Sequence, residues 1–363
     1  MLPVCIRDDL KELGLDVPQD SVRIQAGLSG ASVYRVGDYA IKQHPLSRLG
    51  RLGRIHQYQK RWADAFPDWI PRLVAWPSSW RQAIQTILVL DDGTPQGQGC
   101  WECLEWMPGE SIVKIEQVRI EHVQAVARAL GLLHRHSKHG CSISQASSAF
   151  DERLHQRDRL LQQLLESQFR SPQMSLDQIA RHSKVNSISD QWIDRLRVSL
   201  GTARLIAFES SRAMQKLCGS TTLRYPIHGD AWRGNWLFEG MNVSGLIDFS
   251  QADIRWPGFD FSRAIGTIAL SNRTLWNEAW NSYCEVLGEA GYRLDEAILM
   301  HRVSTILTLV SYIDRLGRFE AIEPVAWVRI EEICRDLSNR NGDDQRSQAH
   351  SAVPSAKDQS ALS

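Results

Sequence analysis

A chain of 363 residues, 43% hydrophobic and 23% charged, has the length of roughly two globular units and enough apolar material for real cores, which excludes disorder throughout. Lys plus Arg and Asp plus Glu both number 42, so no surplus of positive charge draws the chain to a phosphate backbone, and nucleic acid is not an expected partner. No run reaches the ~18 consecutive apolar residues of a membrane span; the best, Ala83 to Leu90, is interrupted by Gln85 and Thr86.

The first ten residues carry neither a basic leader nor a long apolar block, so the expected location is the cytoplasm. Seven cysteines, an odd number scattered from Cys5 to Cys334, fit reduced thiols better than a disulfide framework. Cys100 and Cys103 form a C-x-x-C with no second pair or nearby His cluster, and we read them as half-buried strand thiols rather than a zinc or redox site.

From Val22 the pattern is one of short strands and tight turns. Ser32 to Val36 alternates, Gly37-Asp38 makes a two-residue turn, and Tyr39 to Lys42 returns as the second arm of a hairpin. Between Arg48 and Phe66 the apolar residues Leu49, Leu52, Ile55, Tyr58, Trp62 and Phe66 recur every three or four positions, which predicts a helix lying on a sheet. Strands are expected around Ile84 to Leu90 and Gly99 to Trp106, with a turn at Asp91-Asp92-Gly93 and a break at Pro108-Gly109. Beyond the break the pattern turns helical. Ile120 to Arg135 carries Val123, Val126, Ala127, Leu130 and Leu133 on one stripe, and Phe150 to Phe169 and Trp192 to Leu217 are further amphipathic segments joined by a polar stretch, Ser171 to Ser189. Strands return at Tyr225 to Phe238 and Val243 to Phe249, helices then run to about Arg340, and residues 341–363 read as a disordered tail.

The densest chemical signal is Ile227-His228-Gly229-Asp230-Ala231-Trp232-Arg233-Gly234-Asn235, followed by Asp248 within Gly245-Leu246-Ile247-Asp248-Phe249-Ser250. An H-x-D-x-x-x-x-N loop between short strands offers a carboxylate and an amide on one side of a turn, and a second carboxylate ends the next hairpin. Phosphoryl transfer calls for this set: a carboxylate aligns the acceptor hydroxyl, while an amide oxygen and another carboxylate suit an oxygen-seeking magnesium ion. Asp, Asn and Gly also favour turns on their own account, so the weight lies in their joint spacing.

On these motifs the chain resembles the aminoglycoside phosphotransferase and choline kinase superfamily, from about Val22 to about Arg340. The resemblance implies an α+β, bilobal protein-kinase-like fold, with a β-rich N-terminal nucleotide lobe over residues 1–107 and a mainly helical C-terminal lobe over 108–340. It implies ATP and Mg2+ as cofactors, with Asp230 as catalytic base or hydroxyl-orienting residue and Asn235 and Asp248 as metal ligands. His228 would brace the loop, and Asp260 would tie the following helix back to it. Gly27, Ser29 and Gly30, in Gly27-Leu28-Ser29-Gly30, would cover the ATP phosphates with backbone N–H groups, and Lys42 would pair with them. In Trp101 to Gly109, Leu104 would be the gatekeeper, with the Glu105 carbonyl and the Met107 N–H facing the adenine.

One departure concerns Lys42. In protein kinases the strand lysine is held by a Glu of the following helix, yet Gln43 to Ala63 contains no acid. Either another group orients Lys42, such as Gln57 or Gln59, or ATP binds poorly. The expected activity is therefore phosphorylation of a small-molecule hydroxyl, with a non-catalytic nucleotide or metabolite binder as the competing class. A choline-type kinase is a further alternative, because the chain has 13 tryptophans and Trp276 and Trp280 lie four apart near Trp232, Trp236 and Trp256; a buried helix face has the same spacing. The sequence does not identify the acceptor or the oligomeric state. A protein acceptor is not expected, since no A-P-E segment lies between Asp248 and Asp260.

Overall fold

The computed structural model describes residues 4–12, 14, 23–24, 32–76, 83–84, 86–90, 99–112, 115–140, 151–182, 189–220, 223–318, 320 and 326–338. In chain order these form α1 (Val4–Glu12), β1 (Arg23–Ile24), β2 (Ser32–Val36), β3 (Tyr39–His44), α2 (Leu49–Ala65), β4 (Leu73–Val74), β5 (Ala83–Ile84), β6 (Ile87–Leu90), β7 (Gly99–Glu105), β8 (Glu110–Ser111) and α3 (Ile120–Gly140). Next come α4 (Glu152–Glu166), α5 (Arg170–Arg181), α6 (Asp190–Cys218), β9 (Tyr225–Ile227), β10 (Trp236–Glu239), β11 (Asn242–Leu246) and β12 (Asp253–Arg255). The chain closes with α7 (Gly258–Ala269), α8 (Arg273–Leu287), α9 (Leu294–Gly317) and a helix, α10, over 326–338. The chain divides into two compact units, the first Met1–Phe150, Thr221–Ala269 and Arg273–Ala297, the second Asp151–Ser220, Leu270–Asn272 and Ile298–Ser363. The glycine loop at 27–30, the turn at 91–93 and the tail at 341–363 lie outside the described residues.

The first unit is built on a seven-stranded antiparallel sheet of order β1-β2-β3-β7-β6-β5, with β4 also pairing β7. Its two faces differ because strand side chains alternate. One face carries Tyr34, Val36, Ile41, Trp101 and Cys103, and α1 covers it with Ile6 and Leu10. On the other face, Lys42 stands opposite Glu102 across β3 and β7. A one-residue slip would exchange the two sets, so the apolar face holds the polar one in register. Cys100 and Cys103 are three apart on β7 and project to opposite faces; both are free and buried, and burial pushes the Cys103 thiol up to about 12.

Two expectations from the sequence need correction, at the Ile84 to Leu90 segment and at the polar stretch from Ser171. The strand at Ile84 to Leu90 is instead a tight hairpin, with Ile84 paired to Ile87 and Thr86 in a turn. As the loop between short strands requires, Tyr225 to Phe238 forms two strands in different sheets, β9 with β12 and β10 with β8 and β11, separated by the His-Asp-Asn loop. The polar stretch from Ser171 is a helix, α5, whose Pro172, Leu176 and Ile179 are buried. Pro172 falls in the first helical turn, where its missing N–H breaks no intrahelical bond.

In the second unit, α4, α5 and α6 carry buried leucines and isoleucines on one side each. The second unit is further tied by Ser175 on Asp314 at 3.0 Å and by Trp192 edge-on to Trp327 at 5.7 Å. Among the described residues, no helix is long and apolar enough to cross a membrane.

Candidate active site

The loop after β9 is held from below by one carboxylate. Asp260, fully buried at the start of α7, accepts the His228 N–H on Oδ2 and the Gly229 N–H on Oδ1, both at 2.7 Å. His134 of α3 lies 3.4 Å from the same carboxylate, and its other ring nitrogen meets the Tyr283 hydroxyl at 2.6 Å. Gly229 has φ +82, and a Cβ there would lie 2.1 Å from the Gln251 carbonyl oxygen, so the loop needs glycine at that position. Asp260→Ala would orphan two buried N–H groups at ~1–3 kcal/mol each. We expect a loss of about 2–5 kcal/mol of stability on that basis, read by urea denaturation, with Asp260→Asn losing less.

His228 is fully engaged. Its Nε2–H donates to the Ile247 carbonyl at 3.0 Å, and Nδ1 accepts the Asp230 N–H at 3.2 Å. With both ring nitrogens bonded to the backbone, the imidazole has no lone pair or proton to offer a substrate. Asn235 donates its amide to the Asp230 carbonyl at 2.8 Å, which leaves its amide oxygen as an acceptor. The Asp230 carboxylate pairs with Arg263 of α7, Nε to Oδ1 at 3.0 Å, both side chains about a third exposed. Arg233, within the loop, is buried and donates to the Ile112 and Thr267 carbonyls, so it anchors the loop.

Asp248 follows β11 with φ +61, a left-handed backbone that Asp tolerates better than most residues. Next to it, Phe249 is packed between the His228 ring at 4.7 Å and Trp62 of α2 at 5.6 Å, which links the metal-loop candidate to the helix over the sheet. Lys42 reaches across to Asp248, Nζ to Oδ1 at 2.5 Å. Burial alone would pull the Lys42 ammonium down, but Asp248 and Glu102 outweigh it and hold it above the ordinary lysine value. For Asp248 burial pushes up and is overcome chiefly by Lys42, so its carboxyl lies below the usual value.

This pairing corrects the expectation that Gln57 or Gln59 orients Lys42. Gln57 is exposed, and Gln59 donates to the Pro71 carbonyl at 3.0 Å. Sequence reasoning also missed Glu102, whose carboxylate takes His44 Nε2 at 2.9 Å on one oxygen and His56 Nε2 at 2.6 Å on the other. Its signal was present as an acid amid the apolar residues Cys100, Trp101, Cys103 and Leu104, but the partner positions required knowledge of the register.

A cavity of about 280 Å³ collects most of the predicted residues: Lys42, Leu104, Glu105, Met107, Asn235 and Asp248 all line it, together with Glu102 and Trp232. All of its lining belongs to the first unit. Asp230 and His228 are not in the lining; Asp230 is joined to it through Asn235. Gly27, Ser29 and Gly30 lie outside the described residues. At the strand end the Trp106 N–H is taken by the Asp38 carbonyl at 2.7 Å.

The tryptophans expected near a choline-type pocket are mostly core. Trp236, Trp256 and Trp276 are buried, and Trp276 and Trp280 pack on Phe261 at 6.1 and 5.4 Å. Of that group Trp232 alone lines the cavity among the described residues. Edge and tilted contacts between large rings explain the four-residue spacing as a buried face.

A β-sheet unit with a strand lysine, an Asp-Asn loop and a second carboxylate, followed by a mainly helical remainder, defines an α+β fold of the protein-kinase-like class. The profile of the phosphotransferase enzyme family matches residues 21–294, and the chain belongs to that family. Among solved structures it is similar to amicoumacin kinase hAmiN in complex with AMP-PNP, Ca2+ and Ami, at 12% identity and TM-score 0.53, covering 91% of this chain and 92% of that one. It is also similar to APH(2")-IIia in complex with GDP and kanamycin, at 15% identity and TM-score 0.52, covering 92% and 97%. A microcompartment-associated aminopropanol kinase matches at 12% identity and TM-score 0.51, covering 92% and 95%. At this identity the likeness is one of fold. No curated protein matches the sequence.

Proposed function

We propose that the chain is an ATP-dependent kinase that phosphorylates a hydroxyl of a small molecule. The observation that carries this reading is the convergence of Lys42, Asn235 and Asp248 on one cavity that also takes in Leu104, Glu105 and Met107. Two solved structures of similar fold hold nucleotides, AMP-PNP in one and GDP in the other. The division of labour follows the lobes expected from sequence, 1–107 for the nucleotide and 108–340 for catalysis and acceptor. Location in the cytoplasm belongs to the same reading.

The donor set fits magnesium. Among the described residues no cluster of three or more His, Cys, Asp or Glu is suited to hold a metal ion, but magnesium keeps several waters and is commonly bound by one or two carboxylates plus substrate phosphates. Asp248 and the Asn235 amide oxygen would hold it, and the ion would supply charge neutralisation at the phosphates. Lys42 adds a fixed cation from the sheet. Met107 offers the adenine its N–H, since that of Trp106 is already bonded, and Leu104 stands as gatekeeper.

Asp230 orients the acceptor hydroxyl and takes its proton as the oxygen–phosphorus bond forms and the bond to the leaving nucleotide breaks. His228 acts only by positioning the loop, because both of its nitrogens are bonded, one to the Asp230 N–H and the other to the Ile247 carbonyl. Arg263, already on Asp230, brings a positive charge to the acceptor side.

Lys42→Ala tests the nucleotide side. We expect ATP affinity to fall by at least about tenfold, the order of a charge-assisted contact, measured by titration calorimetry. Unchanged affinity would remove Lys42 from the phosphate site. Magnesium-dependent ATP turnover with a panel of small-molecule alcohols then separates the kinase from a non-catalytic binder, which would bind ATP and transfer nothing.

A further inference from the structure

In the reading above Lys42 faces a conflict. Its present partner, Asp248 at 2.5 Å, is also the carboxylate assigned to the metal. Whenever Asp248 turns to the ion, a buried ammonium must keep another counter-charge or bear a large desolvation cost. Helix α2 offers none: Asp64, the one acid in its span Leu49–Ala65, sits at its far end, exposed and paired with Lys60.

Glu102 meets the requirement from the sheet. It stands opposite Lys42 in register across β3 and β7, on the same face and lining the same cavity, and both side chains are buried. Each carboxylate oxygen is held. His44, two residues beyond Lys42 on β3, donates to one oxygen at 2.9 Å, and His56 of α2 donates to the other at 2.6 Å. The opposite nitrogen of His56 meets the Thr86 hydroxyl at 2.7 Å, which sets the ring so that its Nε2–H faces the acid. In this chain the helix therefore contributes a donor to the acid, and the acid itself lies on the strand.

We propose that Glu102, clamped by His44 and His56, is the standing counter-charge of Lys42, so that Asp248 can be released to a metal-bound nucleotide while Lys42 stays charged and in place. Glu102 is then a positioning residue that acts through Lys42, and His56 couples the placement of α2 to it. The inference rests on the kinase reading for its consequence, though not for the cross-strand pairing of Glu102 with Lys42.

Two measurements on the full chain test it. In nucleotide-free protein carrying Asp248→Asn, a double-mutant cycle of Lys42→Met and Glu102→Gln is read by urea denaturation. The expected result is coupling, the double variant having a higher midpoint than the two single shifts predict by addition. Additive midpoints would overturn the proposal whether or not ATP binds. In the parent background, calorimetry with ATP in the presence and absence of magnesium should show that Glu102→Gln reduces the gain in affinity brought by the ion by at least about tenfold, because Lys42 then holds on to Asp248. Glu102→Asp should recover part of that gain. A purely structural role would lower both affinities together and leave the gain intact, which would overturn the proposal. Should Glu102→Gln fail to fold, His56→Ala is read in both experiments in its place, with the same outcomes. If the parent itself binds no magnesium-ATP, the kinase reading fails, and the denaturation cycle still decides whether Glu102 serves Lys42.

Discussion

Asp230→Asn lowers phosphoryl transfer by ~10² to 10⁴, the usual worth of a positioned acid-base group, and leaves ATP affinity close to that of the parent. The substitution keeps the shape of the side chain and all the backbone bonds of the loop, since the Asp230 N–H still meets His228 and its carbonyl still receives Asn235. What it removes is the charge that accepts the hydroxyl proton, together with the ion pair to Arg263. That pair is about a third exposed on each side and contributes little to stability, so the thermal midpoint should move by only a few degrees. Binding and turnover thus separate. Single-turnover rates for parent and variant with a phosphorylated product in hand provide the check; equal rates would make Asp230 a turn residue. The non-catalytic alternative predicts no transfer in the parent, and so nothing for this substitution to change.

Asp248→Ala has the second large effect: the increase in ATP affinity brought by magnesium disappears. Asp248 is the carboxylate of the proposed metal pair and lies on a loop, so its loss should not unfold the protein. Phe249 retains Trp62 and His228 as neighbours, and Lys42 retains Glu102 across the strands. The backbone does impose a cost, because alanine at φ +61 is disfavoured by ~1–2 kcal/mol relative to its usual conformations. Asp248→Asn avoids most of that cost, as Asn tolerates the left-handed region, and it still removes the charge. Titrations with and without magnesium on both variants therefore distinguish metal binding from local strain. Magnesium dependence that survives in both would take Asp248 out of the metal site.

Elements governed by local periodicity were legible before the structure. The Ser32–Val36 and Tyr39–His44 hairpin turns at Gly37, as the two-residue loop predicts, and Val123, Val126, Ala127, Leu130 and Leu133 form the buried stripe of α3. The Asp-Asn loop and Asp248 were also legible, because the spacing of their polar residues between short strands is a linear property of the chain. Asp260 beneath the loop was anticipated from the resemblance, and its two hydrogen bonds at 2.7 Å give that tie a physical form.

Three features were decided only by tertiary structure. Helix α5 has a polar composition, and its helical state follows from burial of Pro172, Leu176 and Ile179 against neighbours that no local window contains. The tryptophans Trp276 and Trp280 have a spacing that suits a ligand cage as well as a core, and the packing of Phe261 against them decides for the core. The partner of Lys42 depended on which residues face it. Asp248 is 206 positions away in sequence, and Glu102 becomes its neighbour only through the pairing of β3 with β7. Residue type and spacing along one strand are properties of the chain, whereas the charge that faces a buried lysine is set by register and by the helix laid over the sheet. Those depend on the burial of the opposite face, where Ile41, Trp101 and Cys103 pack under Ile6 and Leu10.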